Sequence, residues 1–151
     1  MRVKTAMAAG AIGGVAGALA MGLAHTGLAK VVGSKSRGGE RDATVLAAER
    51  VLGGELEGDR AAIAGTAVHL LFGAASGAAY GAAAALLPSV RCGAGLPLGV
   101  ALYFGAHGWA VPRARLSESP LDKPLAGELV EFAAHLVYGA VTDAVLRIPR
   151  R

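Results

Sequence analysis

The sequence lacks most features that would indicate an enzyme or a disulfide-stabilised domain. Cys92 is the only cysteine among 151 residues, so an internal disulfide bond and a cysteine-rich zinc site are both excluded. The glycine-rich run 10–17 lacks the GxGxxG order and the preceding strand of a dinucleotide site. Glu131 and His135 form ExxxH, which is neither the HExxH of zinc proteases nor the ExxH of di-iron bundles. We therefore expect no catalytic residues and no bound cofactor.

Charged residues are scarce and unevenly distributed. Asp, Glu, Lys and Arg make up 17% of the chain, against 54% hydrophobic residues. A soluble domain of this size alternates polar and apolar positions to leave a hydrated surface. The formal net charge is +4, but the basic residues lie at the ends of apolar blocks rather than on one helix face, which argues against binding of nucleic acid. The composition instead predicts an integral membrane protein whose main partner is the lipid bilayer.

Four apolar blocks approach or exceed the length of roughly 20 residues that crosses a bilayer. They cover residues 5–29, 61–87, 94–111 and 127–146. Their composition lacks the dyad alternation of barrel strands, so helices are the expected spanning form. The sequence predicts one membrane domain over residues 1–151 with an all-α fold, an integral membrane four-helix bundle. The first block has the basic start of a secretory signal peptide, but its apolar region is too long for one, so we expect it to be retained.

The segments between the blocks predict one surface helix and one tight reversal. Asp42–Leu52 has apolar residues near helical spacing and is followed by two glycines. It therefore indicates a short amphipathic helix after the first span, resting against the membrane surface or the bundle end. A solvated loop with one helical turn is the alternative. Pro88 ends the second block, and the linker SVRCG is short enough to place the third helix antiparallel beside the second.

Glycines recur every four residues on the second block and indicate close helix packing. Helices associate in lipid where small residues let their backbones approach. The repeat consists of Gly65, His69, Gly73, Gly77 and Gly81, and shorter stripes occur on the first and third blocks. We interpret Gly73, Gly77 and Gly81 as helix-packing residues, either within the chain or in a homo-oligomer formed through the glycine stripes. Chance spacing in a Gly- and Ala-rich sequence is the alternative.

Each block carries one histidine, and the four histidines are predicted to share one leaflet. His25 and His107 lie near the ends of their blocks. His69 and His135 lie about eight residues after the starts of theirs, at a rise of about 1.5 Å per residue. Because consecutive helices alternate in direction, all four fall on the side of the two long loops. Glu131 lies one turn before His135, and because a carboxylate inside a membrane is expected to pair with another group, we predict that it pairs with one or more histidines.

This predicted polar layer has three interpretations that the residues leave open. It is a hydrogen-bonded plug that sets helix register, a proton-responsive site built on histidines that titrate near neutral pH, or a site where imidazoles bind a metal or haem. Its members are His25, His69, His107, Glu131 and His135, and any metal is unknown. A further set of residues is interpreted as anchors at the membrane interface: Tyr103, Trp109, Arg113 and Tyr138.

Two motifs cover much of the last three blocks. The first is HLLFGAASGAAYG at His69–Gly81, and the second combines HGW and a proline-containing loop (His107–Pro112) with EFAAHLVYG (Glu131–Gly139). Together they resemble the YagU-like family of small multi-pass bacterial inner-membrane proteins, over most of the chain. The resemblance implies a multi-pass topology and the importance of His69, His107, Glu131 and His135. It implies no reaction.

The basic residues outside the blocks bear on orientation. The N-terminus, the SVRCG linker and the C-terminus share one side, and its basic residues (Arg2, Lys4, Arg91, Arg147, Arg150 and Arg151) have no acidic neighbours in sequence. The opposite side has more basic residues, but its long loop also contains acids. We expect both termini in the cytoplasm of a bacterial inner membrane. The leading functional prediction is a non-catalytic, proton-responsive protein of envelope homeostasis. A membrane metal- or haem-binding protein of redox or transport, and a non-catalytic partner subunit, are the alternatives.

Overall fold

The structure, a computed structural model, describes residues 2–33 and 42–148, and every regular element in those ranges is helical. The α-helices are, in chain order, α1 (Val3–Val32), α2 (Ala43–Leu52), α3 (Gly58–Leu86), α4 (Leu96–Leu102), α5 (Val111–Arg113) and α6 (Leu125–Arg147). A π-helical segment, Tyr103–Ala110, joins α4 to α5, and short 3-10 turns lie at Pro88–Arg91 and Pro120–Asp122. The predicted all-α fold is confirmed for the described residues.

Three of these helices, α1, α3 and α6, are long and apolar enough to cross a membrane. They contain 30, 29 and 23 residues, beyond the roughly 20 that a bilayer requires. Their bounds lie within a few residues of the predicted blocks 5–29, 61–87 and 127–146. The block predicted over 94–111 is instead α4, the π-helical segment and α5 in direct succession. Its crossing of the membrane stays a prediction.

Pro112 does not end the third helical run, although the sequence predicts that it should. Pro112 lies in the first turn of α5, where its missing N–H costs little. The N–H of Ala114 donates to the carbonyl oxygen of Ala110 at 2.9 Å. Hydrogen bonds on both sides of the proline are therefore kept, and the chain stays helical to Arg113.

The helices are arranged with α1 at the centre. α1 packs along both α3 and α6, α4 packs against α6, and α2 packs against α3. The short linker predicts α4 beside α3, but the main contact of α4 is with α6 because Gly95 and Gly99 bring its backbone onto that helix. A methyl group at Gly95 would overlap the carbonyl oxygen of Gly139, and Gly95 has a φ of +81°, which favours glycine.

The contact between α1 and α3 is built on glycines from both helices. Gly73, Gly77 and Gly81 of α3 are buried against α1. A Cβ at Gly77 would overlap the carbonyl oxygen of Gly10 and lie 2.7 Å from the Cα of Gly14. Backbones approach this closely only where side chains are absent. The glycine stripe of α3 thus contacts another helix of the same chain, so a homo-oligomer would need a different surface.

The opposite face of α1 uses a second glycine pair to contact α6. A Cβ at Gly13 would lie 2.8 Å from the carbonyl oxygen of Thr142, and a Cβ at Gly17 would lie 2.8 Å from that of Tyr138. The hydroxyl of Tyr138 donates to the carbonyl oxygen of Gly73 on α3 at 2.7 Å. Tyr138 is 3% exposed, so its interpretation as an interface anchor is wrong. It instead joins α6 to α3 inside the bundle.

The short helix after the first span forms as predicted and packs on α3. Asp42 caps it, because the carboxylate accepts hydrogen bonds from the N–H and the hydroxyl of Thr44 at 2.8 and 2.7 Å. Gly53 ends it in the left-handed conformation. Val45 lies against Gly65 of α3. These residues therefore form a packed helix and not the solvated loop that was the alternative.

Candidate functional site

Glu131 joins α6 to α1 through His25. Nε2 of His25 lies 2.9 Å from Oε1 of Glu131. The two side chains are 43% and 28% exposed, so the pair lies at the edge of the bundle. On this part of α1, a Cβ at Gly22 or Gly27 would meet nothing within 4 Å. The pair therefore attaches the C-terminal part of α1 to α6, in a region where glycines do not bring the helices into contact.

Glu128 forms the more buried of the two carboxylate sites. Its Oε2 accepts hydrogen bonds from the hydroxyl of Tyr103 at 2.9 Å and from Nε2 of His107 at 3.0 Å. Glu128 is 7% exposed. Tyr103 and His107 lie four residues apart in the π-helical segment, and their rings stack with centroids 5.3 Å apart. Both side chains thus converge on one oxygen atom of α6.

The other two histidines bond to backbone carbonyls rather than to carboxylates. Nδ1 of His135 donates to the carbonyl oxygen of Glu131 at 2.8 Å, and Nε2 of His69 donates to that of Ala18 on α1 at 3.1 Å. Because a carbonyl oxygen only accepts, these bonds assign a proton to the bonded nitrogen of each ring. The ring of His135 also lies 5.7 Å from that of His107. His135 therefore belongs with the carboxylate sites, whereas His69 makes a contact between α3 and α1.

Aromatic rings enclose the inner part of this site. Tyr103 makes edge-on contacts with Phe132 and His135, at centroid distances of 5.0 and 5.6 Å, and with Phe104 at 5.1 Å. Such contacts are favourable and shield the hydrogen bonds to Glu128 from water. The interpretation of Tyr103 as an interface anchor stays a prediction. Its ring packs against α6, and its hydroxyl contacts the buried carboxylate.

A second polar cluster lies at the opposite end of α6, and we call it the Asp143 cluster. The Asp143 side chain is 1% exposed. Its Oδ1 accepts hydrogen bonds from the Tyr80 hydroxyl and from Nε of Arg91, both at 2.9 Å, and its Oδ2 accepts one from Nε of Arg147 at 2.5 Å. The cluster connects α3, the turn before α4, and α6.

The imidazoles do not meet at a common point. Two of the four face separate carboxylates, and the other two turn a nitrogen to separate backbone carbonyls. Within residues 2–33 and 42–148, no group of three or more His, Cys, Asp or Glu side chains is arranged to hold a metal ion. Zinc sites need several such ligands around one point. The metal interpretation therefore has no ligand set in these ranges.

Sequence reasoning did not identify Glu128. It lies in the first turn of α6, three residues before Glu131. A signal was present in the spacing, because Glu128, Glu131 and His135 are three and four residues apart and so share one helix face. No comparable signal pointed to Tyr103, because its partner lies on a different helix.

Comparison with known proteins identifies one family. A protein-family model described as "Protein of unknown function (DUF1440)" matches residues 53–144. The matched range contains α3, α4, the π-helical segment, α5 and most of α6, and with them both glutamates of the site. His25 and the rest of α1 lie outside it. No curated protein and no solved structure matches the chain.

Proposed function

The chain belongs to the DUF1440 family of proteins of unknown function, and we propose that it is a non-catalytic, multi-pass protein of a bacterial inner membrane that responds to protons. The responsive site is the polar layer as its contacts define it: His25, Tyr103, His107, Glu128, Glu131 and His135. The observation that supports this proposal is that two carboxylates of α6 each contact a different imidazole. A role in envelope homeostasis and the narrower resemblance to YagU-like proteins are parts of this proposal.

Each of the two carboxylate–imidazole contacts joins two different helical elements, so a change in its protonation affects how these elements pack. The contact between Glu131 and His25 joins α6 to α1 at 2.9 Å. The contact between Glu128 and His107 joins α6 to the π-helical segment at 3.0 Å. Histidine is the side chain whose ordinary titration falls between about pH 5 and pH 8. A change in proton occupancy at either contact therefore alters the attraction between two helical elements.

Acidification adds positive charge to a site with few groups to balance it. The rings of His107 and His135 lie 5.7 Å apart, and the nearby carboxylates are Glu128 and Glu131. Like charges at this separation repel strongly where water is scarce. Protonation of the carboxylates instead removes the charge assistance of their hydrogen bonds. Protonation of an imidazole that faces a carboxylate strengthens that contact, whereas repulsion between His107 and His135, or protonation of a carboxylate, weakens the attachment to α6.

We place four membrane crossings in the chain, one more than the three long apolar helices. The additional crossing consists of α4, the π-helical segment and α5, which contain seven, eight and three residues in succession. That run is close to the roughly 20 residues that a crossing needs. Its backbone groups bond within the run, as a membrane interior requires.

The proposed orientation has both termini in the cytoplasm. On that side, the described helix ends and the turn before α4 carry Arg2, Lys4, Arg91 and Arg147 close to the apolar segments and without acidic neighbours in sequence, although the opposite side has more basic residues in total. Arg150 and Arg151 belong to the same prediction but lie outside the described residues. In this orientation the polar layer faces the outer leaflet, where external protons reach it first.

Cysteine labelling tests the orientation directly. Cys92 is exposed and is the only cysteine of the chain. A membrane-impermeant maleimide added to intact spheroplasts should leave Cys92 unlabelled until the membrane is opened. A Cys92→Ser/Leu121→Cys variant should react without opening, because Leu121 is 94% exposed in the loop before α6. The reverse labelling pattern would contradict the orientation.

The dependence of stability on pH tests the proton response. The free energy of unfolding in mixed micelles should rise by about 1–2 kcal/mol as the pH is lowered through the histidine range, because an imidazole that faces a carboxylate binds its proton more tightly in the folded form. A His25→Asn/His107→Asn variant removes both imidazoles that face carboxylates and should flatten this dependence. The matched control is His69→Asn, which removes an imidazole bonded to a carbonyl and should keep it. An unchanged slope in the double variant would contradict the proposal.

Metal content tests the main alternative. The detergent-purified protein should be analysed after incubation with iron, zinc or copper salts, beside a His69→Ala/His135→Ala variant. Metal bound near one equivalent per chain and lost in the variant would replace the proton proposal with a metal site. A partner subunit, the other alternative, should co-purify with a second protein in stoichiometric amount.

A further inference from the structure

We propose that the π-helical segment Tyr103–Ala110 is a register switch, which Glu128 holds in the π form and which transmits the state of the polar layer to the surface helix α2. The inference rests on the proposed proton response and names the element that moves when the response occurs. The proposed function describes only the binding of protons, and the inference adds the conformational change that follows.

The π-helical segment is unusually long. The N–H of Val111 bonds to the carbonyl oxygen of Ala106, five residues earlier. π-helices occur mostly as single turns inside α-helices and often at functional sites, whereas this segment has eight residues. So uncommon a conformation persists only where specific contacts favour it over the α-helix.

Packing holds only the side of the segment that faces α6, where the ring of Tyr103 contacts Phe132. No residue of the segment is buried, and Trp109 is 68% exposed. The polar attachment comes from the first and fifth residues, Tyr103 and His107, which both bond to Oε2 of Glu128. Loss of these two hydrogen bonds removes the polar contacts that favour the π form.

Conversion of a π turn into an α turn rotates the chain that follows. Successive residues of an α-helix are separated by about 100°, because one turn contains 3.6 residues. A π-helix closes its hydrogen bonds over five residues instead of four. Each turn that converts therefore rotates the following chain by about one residue step. Trp109 and Arg113 then present different faces to their surroundings.

The end of the switch is connected to α2. Nη1 of Arg50 donates to the carbonyl oxygen of Ala114, just after α5, at 2.6 Å. α2 also packs on α3, where Val45 lies beside Gly65. Rotation of α5 redirects the Ala114 carbonyl and breaks the bond from Arg50. The proton occupancy of the buried Glu128 thereby reaches a helix at the loop-side surface.

Titratable groups from four helical elements lie in this part of the bundle. They are Tyr103 and His107 from the π-helical segment, Glu131 and His135 from α6, His25 from α1 and His69 from α3. Of these, Tyr103 and His107 donate to Glu128 directly. A protonated Glu128 carries its own donor and no charge, so its hydrogen bonds to both residues weaken. The switch is released in that state.

Fluorescence of Trp109 is the first test, because it is the only tryptophan and lies within the switch. The emission maximum of the full chain in lipid nanodiscs is measured between about pH 3 and pH 8, which covers the ordinary titration of carboxylates and imidazoles. We expect a shift in the wild type and a single, pH-independent maximum in Glu128→Gln, which cannot ionise. The matched control Glu57→Gln removes an exposed carboxylate outside the polar layer and should keep the shift. An invariant wild type, or a shift that survives in Glu128→Gln, overturns the inference.

Spin-label distances are the second test. A protonated His107 can itself quench the fluorescence of Trp109, and distances between labels are not affected by this. Labels on Cys92 and on an Arg113→Cys variant flank the switch. We expect their distance distribution to change with pH in the wild-type background and to stay constant with Glu128→Gln. Labels on Cys92 and Ala144→Cys, both on the turn side, should give a constant distance.

The two proposals fail in different ways. A pH-dependent unfolding free energy with constant Trp109 emission and constant label distances would leave the proton response intact and overturn the switch alone. An unfolding free energy with no dependence on the two carboxylate-bonded imidazoles would overturn the proposed function itself.

Discussion

The turn-side and loop-side halves of the helix bundle are held together in different ways. In the turn-side half, glycines bring the backbone of α1 into contact with α3 and α6, and the Asp143 cluster joins the helix ends. In the loop-side half, Gly22 and Gly27 of α1 have open space around them. There the helices are joined by the side chains of the polar layer. One half is thus stabilised by backbone shape, and the other by groups whose charge can change.

The partners of the carboxylates extend this contrast. Asp143 bonds to Arg91 and Arg147, whose guanidinium groups stay protonated in proteins. Glu128 and Glu131 bond instead to imidazoles, which titrate near neutral pH. A change in proton concentration therefore alters the loop-side contacts and leaves the turn-side contacts in place. The turn-side half can act as a fixed base against which the loop-side half moves.

A methyl group in the glycine contact should have the largest effect. Gly77→Ala places a Cβ onto the carbonyl oxygen of Gly10, so the two backbones must separate. We expect a loss of about 3 kcal/mol in the free energy of unfolding, or failure to fold, measured by denaturant titration in micelles. Gly22→Ala is the matched control in the open half of α1 and should change stability by less than about 1 kcal/mol. Equal effects of the two substitutions would remove the contrast between the halves.

Removal of the turn-side carboxylate charge should have the next largest effect. Asp143→Asn keeps the shape of the side chain but leaves two guanidinium groups without their anion. We expect a loss of about 3 kcal/mol in the unfolding free energy, as for other buried ion pairs that lose one partner. Because guanidinium groups do not titrate and a carboxylate bonded to two of them stays ionised at moderately acidic pH, the loss should be the same at about pH 5 and at neutral pH. A loss confined to one end of the pH range would contradict the division of roles.

The equivalent change in the loop-side half should have a smaller and pH-dependent effect. Glu128→Gln removes the charge assistance from two hydrogen bonds. We expect a loss of about 2 kcal/mol at neutral pH, and less at acidic pH, where the wild-type carboxylate is itself more often protonated. Parallel unfolding titrations at the two pH values check this. A loss that grows on acidification would contradict the assignment of Glu128.

The outermost contact should contribute least to stability. The His25 side chain is 43% exposed, so its attraction to Glu131 is screened by solvent. We expect His25→Asn to cost less than about 1 kcal/mol. Its clearer effect should be faster hydrogen exchange in α1 beyond Gly22, since the contact attaches that end of the helix. Unchanged exchange there would show that α1 is held by other contacts.

The positions of the helices could be predicted from the sequence, because each depends on short-range chemistry. Apolar length defined the three long helices to within a few residues, and the glycines after Leu52 indicated the end of α2. The neighbour of α4 could not be predicted in this way. A short linker sets the direction of the next helix, but the approach of Gly95 and Gly99 to Gly139 selected α6 as its partner.

The candidate site was predictable only in part, for a related reason. Depth along each helix placed His25, His107, Glu131 and His135 at one level of the bundle. It could not determine which atoms would bond, because that depends on how each helix is rotated about its axis. Glu128 was not predicted, and only its contacts with the π-helical segment show its place in the layer.

The sequence by itself predicted long apolar helices, stripes of glycine along them, and histidines at a similar depth in the membrane. Those properties follow from composition and from the regular rise and rotation of a helix. The tertiary structure alone decided the pairings: Glu131 with His25, Glu128 with Tyr103 and His107, and Asp143 with two arginines. Pairing between helices depends on their relative rotation and distance, and these are set by contacts between residues far apart in the chain.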